Sequence, residues 1–412
     1  MDAGPTPSSV LIAGGGPAGM MLGYLLARAG IEVTVLEKHG DFLRDFRGDT
    51  VHPSTLEVLY ELGLVERFLT RRHDRIERAT GSVGGEAVTI ADLTHLPVHC
   101  PFIALMPQWD FLDFLADEAR QFRAFHLEMN AEAVDVIEEG GDVRGLQVRC
   151  GGASATLDAR LAGLVIAADG RSSVIRDRAG LTRDIEEIGT PIDVLWMRLP
   201  KPAAGVSIPL GNVVAGRIFI ALNRGDYYQC AFVIAKGGFD EIRARGLPAF
   251  RDEIVRVAPN LADSVGELTD WDQVKLLTVK IDRLTRWHRP GLLAIGDAAH
   301  AMSPIGGIGI NLAIQDAVAA ANRLIPVLRR GPASNADLAA VQKRREWPTR
   351  VTQSFQAFAQ NQIIQRVLER TEPITGAPWP LRLLTRVPLL QRLPARFLGL
   401  GVRPEHPVSP AP

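Results

Sequence analysis

A short apolar run, Val10 to Ala13, stops at Gly14-Gly15-Gly16-Pro17-Ala18-Gly19, and apolar residues then recur at helical spacing through Ala29. A second apolar run covers Ile31 to Leu36. This pattern predicts a strand, a tight turn, a helix and a second strand, joined by a right-handed crossover in a parallel sheet. Further along, Leu112, Leu115, Ala119 and Phe122 fall on one helical face. Strand-like runs lie near Val134 to Ile137 and Val143 to Val148, and Leu164 to Ala168 resumes the sheet. From about Ile185 to Arg289 the texture turns β-rich, with runs at Arg217 to Ala221, Tyr227 to Val233 and Lys275 to Ile281 and one helix around Ala249 to Val257. The chain then returns to a strand at Leu292 to Ile295 and a helix from about Gly309 to Leu328. Val351, Phe355 and Phe358 mark a long helical region after it, and the proline-rich tail beyond Pro404 is expected to fray.

Length and charge narrow the function classes. At 412 residues the chain suits two or three interlocked domains, and a formal net charge of -1 gives no reason to expect nucleic acid. The expected partner is a small molecule, and the chain is expected to be a monomer or homodimer. Cys100, Cys150 and Cys230 are far apart and lack metal-ligand spacing, and no basic segment with an apolar signal core opens the chain. A reducing, cytoplasmic setting without a metal site is therefore expected. The apolar, basic stretch from Leu381 to Leu398 resembles an interfacial helix, but Pro388 and Pro394 interrupt it. It is expected to dock on the protein's own surface or a second subunit rather than on a membrane.

The first motif, Gly14-x-Gly16-x-x-Gly19, carries the clearest chemistry. Its first glycine permits the turn, its second lets the backbone approach a pyrophosphate, and its third lets helix pack on strand. Pro17 and Ala18 start that helix, whose free N–H groups favour phosphate. Glu37, followed by Lys38, ends the second strand 23 positions after Gly14, where an acid accepts hydrogen bonds from a ribose without a 2′-phosphate. The motif allows FAD or NAD and does not choose between them.

The choice comes from two later segments. Ala168-Asp169-Gly170-Arg171-Ser172-Ser173 is followed by Arg176. The other segment runs Gly296-Asp297-Ala298-Ala299-His300-Ala301-Met302-Ser303-Pro304-Ile305-Gly306-Gly307-Ile308-Gly309-Ile310-Asn311. With the glycine motif, these resemble the signatures of the group A flavoprotein monooxygenases, the para-hydroxybenzoate hydroxylase-like enzymes, over roughly residues 8 to 330.

That resemblance implies an α/β fold: a Rossmann-type FAD-binding domain with an interleaved β-rich substrate domain and C-terminal helices. The FAD-binding domain would take 8–184, with some substrate-layer strands, and resume at 291–330. The β-rich substrate region would span 185–290, the helical region 331–403 and the flexible tail 404–412. Asp169 and Gly170 would support the cofactor, Gly296 and Asp297 would hold its ribityl chain, and Pro304, Gly306, Gly307 and Gly309 would form the oxygen-site loop. Gly307 and Gly309, with Ile310 and Asn311, would also contact FAD, and a helix dipole there would stabilise negative charge on the reduced ring. Arg47 and Gln108 fall at two further cofactor positions. Ser303 stands where the family often has proline, and Ile308 where it often has glutamine.

The implied reaction uses NADH or NADPH as transient reductant and O2 as co-substrate. It hydroxylates an electron-rich, aromatic small molecule through a flavin C4a-hydroperoxide. Trp196, Arg217 and Tyr228 are the candidate substrate residues, whereas His52 and His300 are read as structural. An FAD-dependent reductase of the same fold and a non-catalytic flavin-binding protein are the alternatives. The absence of a Trp-x-Trp pair argues against halogenation.

Overall fold

The computed structural model describes residues 9–43, 50–151, 156–189, 191–202 and 210–408. It opens with β1 (Val10–Ala13), α1 (Pro17–Arg28) and β2 (Val33–Glu37), then α2 (Pro53–Glu61) and the hairpin β3 (Arg78–Val83) and β4 (Glu86–Asp92). Next come α3 (Gln108–Ala119), β5 (Phe125–Met129), three antiparallel strands within 131–150 and 156–161, β6 (Leu164–Ala167) and the short α4 (Val174–Arg178). The β-rich region supplies β7 (Ile192–Pro200), β8 (Gly211–Val214), β9 (Arg217–Asn223), β10 (Tyr227–Ala235), α5 (Leu247–Val257) and β11 (Lys275–Leu277). The chain closes with β12 (His288–Arg289), β13 (Leu292–Ala294), α6 (Gly309–Leu328), α7 (Asn335–Ala359), α8 (Trp379–Arg386) and α9 (Pro388–Leu400).

Two large sheets organise these elements. The first runs β12-β13-β6-β1-β2-β5, with every neighbouring pair parallel except β12 and β13. Its strands are almost wholly buried because helices pack on the sheet, as a parallel sheet requires. The chain leaves β1 in one direction toward β2 and reaches β6 on the other side, so a crevice opens at the C-terminal end of β1. The second sheet runs β11-β7-β10-β9-β8-β3-β4. The second sheet thus borrows β3 and β4 from the N-terminal third.

Period-two alternation gives the second sheet two distinct faces. Leu195, Met197, Phe219, Tyr228 and Phe232 pack with Phe250 and Ile254 of α5. The opposite face carries Val194, Trp196, Ile218, Ile220, Ala231 and Val233, which cluster with Ile305.

Several local expectations change. The run at Lys275 to Ile281 is strand only through Leu277, and Val134 to Ile137 belongs to a longer strand, Ala131–Glu139. Gly84 and Gly85, both with positive φ, turn the hairpin between β3 and β4. Pro388 starts α9 after a break at Val387, whereas Pro394 is accommodated inside that helix. The tail does not fray at Pro404. Glu405 is buried, its carboxylate lies 2.6 Å from Arg344 Nε, and Val408 N donates to Asn322 Oδ1 at 2.9 Å. Residues 409–412 lie outside the described residues. No helix among the described residues is long and apolar enough to cross a membrane.

Candidate flavin site

The glycines of the first motif separate into two kinds. A Cβ on Gly14, whose φ is +105°, would stand 2.4 Å from Ala168 O, and one on Gly19 would stand 2.0 Å from Gly14 O. Those two glycines let β1, β6 and α1 meet. A Cβ on Gly16 would meet nothing within 4 Å, although Gly16 caps α1 with extended backbone. Its bare backbone faces open space beside the helix start, which suits an approaching pyrophosphate. Pro17 and Ala18 enter α1, and Ala18 is buried under the turn. Glu37 Oε2 accepts from Gly15 N at 3.1 Å and Oε1 from His39 N at 3.0 Å, so the acid is oriented at the strand end. Lys38 is exposed.

The second and third motifs are clamped together. Arg176 NH1 donates to Ala298 O at 3.2 Å and NH2 to Arg171 O at 2.8 Å. Asp297 faces Arg171 NH2 at 3.4 Å, and both side chains are about one-third exposed (31% and 30%). Arg171 NH1 is buried without a hydrogen-bond partner among the described residues. An unpaired buried donor beside a half-open carboxylate fits a polar ligand supplied from outside the chain.

Asp316 fixes this turn from below. Its Oδ2 accepts from Gly296 N at 3.0 Å and lies 2.6 Å from His300 Nε2, while Oδ1 lies 2.9 Å from Arg345 Nε. Burial alone would raise the Asp316 carboxyl, but the His300 and Arg345 charges and hydrogen bonds outweigh it and hold it below the usual carboxylate range. Both flanks of Asp297 are therefore tied to α6. His300, buried, thus pairs with Asp316 beneath the turn. An aspartate inside the apolar stretch Ile314-Gln315-Asp316-Ala317 was the overlooked sequence signal.

The glycine-rich loop expected at the oxygen site contains Pro304, Gly306, Gly307 and Gly309. Gly306 and Gly307 adopt positive φ, +76° and +64°. A Cβ on Gly307 would collide with Thr50 Oγ1, which donates to Gly307 O at 2.9 Å. A Cβ on Gly309 would meet nothing within 4 Å, and Gly309, Ile310 and Asn311 form the first turn of α6, where N–H groups lack helical acceptors. Those groups are placed to meet a ligand that gains negative charge.

Some candidates play different parts from those expected. The Asn311 side chain turns away toward α2, where its Oδ1 accepts from His52 N at 3.0 Å and Thr55 Oγ1 at 2.7 Å. Only its backbone remains available to a cofactor. Asp169 likewise bonds its own chain, accepting from Ser173 Oγ and from Ile175 N at the start of α4. Burial pushes its carboxyl up despite those bonds. Gly170 has φ +89° and open space at its Cβ position. Gln108 begins α3, and Arg47 lies outside the described residues. Of the substrate candidates, Trp196 clusters with Ile305. Tyr228 packs on the α5 side, and Arg217 lies 3.6 Å from Glu253 of α5, so both are turned away from the oxygen-site loop.

A dinucleotide-type turn at a sheet switch point, a half-open carboxylate beside an unpaired arginine donor and a glycine-rich loop on a helix start together fit a flavin dinucleotide. The model for the FAD binding domain family matches residues 7–354, so the chain belongs to that family. A 6-methylpretetramide 4-monooxygenase of Streptomyces rimosus is 35% identical over 344 residues, spanning 82% of this chain and 80% of that protein. An uncharacterized aromatic compound monooxygenase of Bacillus subtilis is 28% identical over 313 residues, covering 75% of this chain and 59% of its own length. In fold, p-nitrophenol 4-monooxygenase from Pseudomonas putida matches with a TM-score of 0.74 at 19% identity, covering 96% of this chain and 98% of that one. The chain is an FAD-dependent monooxygenase.

Proposed function

We propose that this monooxygenase hydroxylates a flat, electron-rich aromatic compound, with NADH or NADPH as reductant. The observation that carries this reading is an apolar cluster that joins Trp196, Ile218 and Ile220 of the second sheet to Ile305 of the oxygen-site loop. That face, which Ile364, Val367 and Leu368 also pack against, would give an aromatic ring flat apolar contacts beside the loop and exclude water. The aromatic substrates named for the relatives from S. rimosus and P. putida agree with it. The net reaction takes an aromatic C–H, O2, NAD(P)H and a proton to the phenol, water and NAD(P)+.

FAD, when bound, supplies hydride acceptance and oxygen activation. The chain supplies the rest. Gly16 and the α1 start would receive the pyrophosphate, Glu37 a ribose, and Asp297 with Arg171 the ribityl chain. The first turn of α6 directs N–H groups and its positive dipole end at developing negative charge. Trp196 and Ile305 orient the substrate and keep the site dry. The test is to reconstitute the protein with FAD and follow NADH and NADPH oxidation, hydrogen peroxide release and 18O2 incorporation with phenols such as 1-naphthol. A substrate accelerates oxidation, suppresses peroxide and gains 18O. Uniformly stoichiometric peroxide without labelled product would overturn the hydroxylase reading in favour of a reductase or a binding protein.

A further inference from the structure

The C-terminal helices show two unlike faces. On α9 the inner face, Gln391, Ala395 and Gly399, is buried, and Gln391 Nε2 donates to Leu384 O at 3.0 Å, joining α9 to α8. Phe397 and Leu398 pack with Met302, Ile308 and Leu312 around the oxygen-site loop. The outer faces are apolar and open. Trp379 is 75% exposed, Leu389 64% and Leu393 72%, and Leu383 and Leu390 are exposed beside them. Arg382, Arg386, Arg392 and Arg396 are exposed on the same helices. Residues 373–404 contain five arginines and no aspartate or glutamate. Glu86, which lies 3.2 Å from Arg382, is the acid that reaches this hairpin from elsewhere among the described ion pairs.

We propose that α8 and α9 form an in-plane docking surface for an anionic lipid bilayer. Large apolar side chains interleaved with arginines on one face of a short helical pair match the requirements of an interfacial anchor: apolar burial at the acyl boundary and cations at the headgroups. Trp379 at the hairpin entrance suits the headgroup layer, where an indole has both apolar and polar surroundings. Self-association fits less well. A two-fold interface sets the same patch against itself, which would gather the arginines of both copies in one buried patch with no acid from this segment to neutralise them. An acidic protein surface would answer the arginines but leave Trp379 and Leu393 against charge. Docking would also place the oxygen-site loop about one helix diameter, roughly 10 Å, from the bilayer. An apolar aromatic substrate would then arrive from the lipid phase.

The test does not depend on turnover and is distinct from the test of the hydroxylase reading. The full-length, FAD-loaded protein is floated with vesicles of phosphatidylcholine alone, and with vesicles containing roughly one-third phosphatidylglycerol. Binding on the order of tenfold or more tighter to the anionic vesicles, weakened by salt, is the expected result. Leu389→Ser with Leu393→Ser, and separately Arg392→Gln with Arg396→Gln, should each lose on the order of tenfold in binding while keeping flavin content and circular dichroism. Lack of flotation with either lipid overturns the proposal, as does unchanged flotation of both variants. Sedimentation showing an oligomer that the leucine variant dissociates would instead assign the face to a second copy.

Discussion

Gln356 of α7 closes a two-way amide pair with the backbone of Ser303: Ser303 N donates to Gln356 Oε1 at 3.1 Å, and Gln356 Nε2 donates to Ser303 O at 3.1 Å. Gln356 Nε2 also reaches Ile305 O at 3.1 Å, and Gln360 Nε2 donates to Ser303 Oγ at 2.6 Å. A proline at position 303 would have no N–H for this pair. The serine at this position therefore comes with its own polar support, and the glycine-rich loop is held by side-chain amides of α7 and of the turn that follows it.

Gln356→Leu should loosen that loop. It would leave the Ser303 N–H and two carbonyls buried without their partner, a cost on the order of 1–3 kcal/mol in stability for each unsatisfied group. The expected functional result is a higher ratio of hydrogen peroxide to NAD(P)H consumed at saturating substrate, with flavin content retained. Coupling equal to wild type would remove the positioning role of Gln356.

The same substitution at two motif glycines should fail in two ways. Gly16→Val directs its side chain into open space, so the protein should fold and lose FAD. Gly19→Val collides with Gly14 O and should abolish soluble, folded protein. Circular dichroism and flavin absorbance separate these outcomes, and a normally yellow Gly16→Val protein would show that the pyrophosphate lies elsewhere.

If Asp297 holds sugar hydroxyls as proposed, Asp297→Ala should remove charge-assisted hydrogen bonds on the order of 1.5–3 kcal/mol, or roughly ten- to a hundred-fold in FAD affinity. Saturating FAD should then restore much of the activity, because the role proposed for Asp297 is to position the cofactor and not to move a proton in the reaction. An FAD titration that follows both occupancy and substrate-dependent NAD(P)H oxidation checks this. Full occupancy without oxidation would contradict it.

Asp316 anchors the Asp297 turn and neutralises buried Arg345. Asp316→Ala leaves that guanidinium without its nearest carboxylate and should cost about 3–5 kcal/mol. Thermal unfolding of the FAD-free protein measures the effect apart from flavin binding, and a loss of less than about 1 kcal/mol would mean that Glu405 alone satisfies Arg345.

His52 makes stability depend on pH. Burial lowers its pKa from 6.5 to about 4, although its hydrogen bond to Leu398 O at 2.7 Å opposes the shift. A base whose folded pKa is depressed binds protons more readily when unfolded. Its contribution is therefore fully present above pH 6.5 and is lost as pH falls toward 4, by about 3 kcal/mol in total. Denaturant titrations at pH 7 and pH 4.5 should show this loss, and His52→Gln should flatten it. An identical slope in the variant would assign the acid sensitivity to another group.

The local pattern determined the elements at the cofactor. Val10 to Ala13, the glycine turn and the following helix are recognisable because their period, their glycines and Glu37 lie within one short stretch, and backbone sterics decide what such a stretch can do. The second and third signatures were likewise legible as runs of residue types. Which side chains would face the ligand was not. Asn311 and Asp169 look like cofactor contacts along the chain, but Asn311 bonds α2 and Asp169 caps α4. Those roles depend on elements brought together by the fold. Tyr228 and Trp196 both lie on β-rich runs, and only sheet pairing decided that one packs under α5 and the other toward Ile305. The tail followed the same rule: Glu405 looked frayed in a proline-rich ending and is buried because Arg344 and Arg345, some 60 residues earlier, offer it charge. Sequence fixes periodicity and backbone freedom because both are local, whereas burial and pairing of polar groups are settled by distant partners that only tertiary packing supplies.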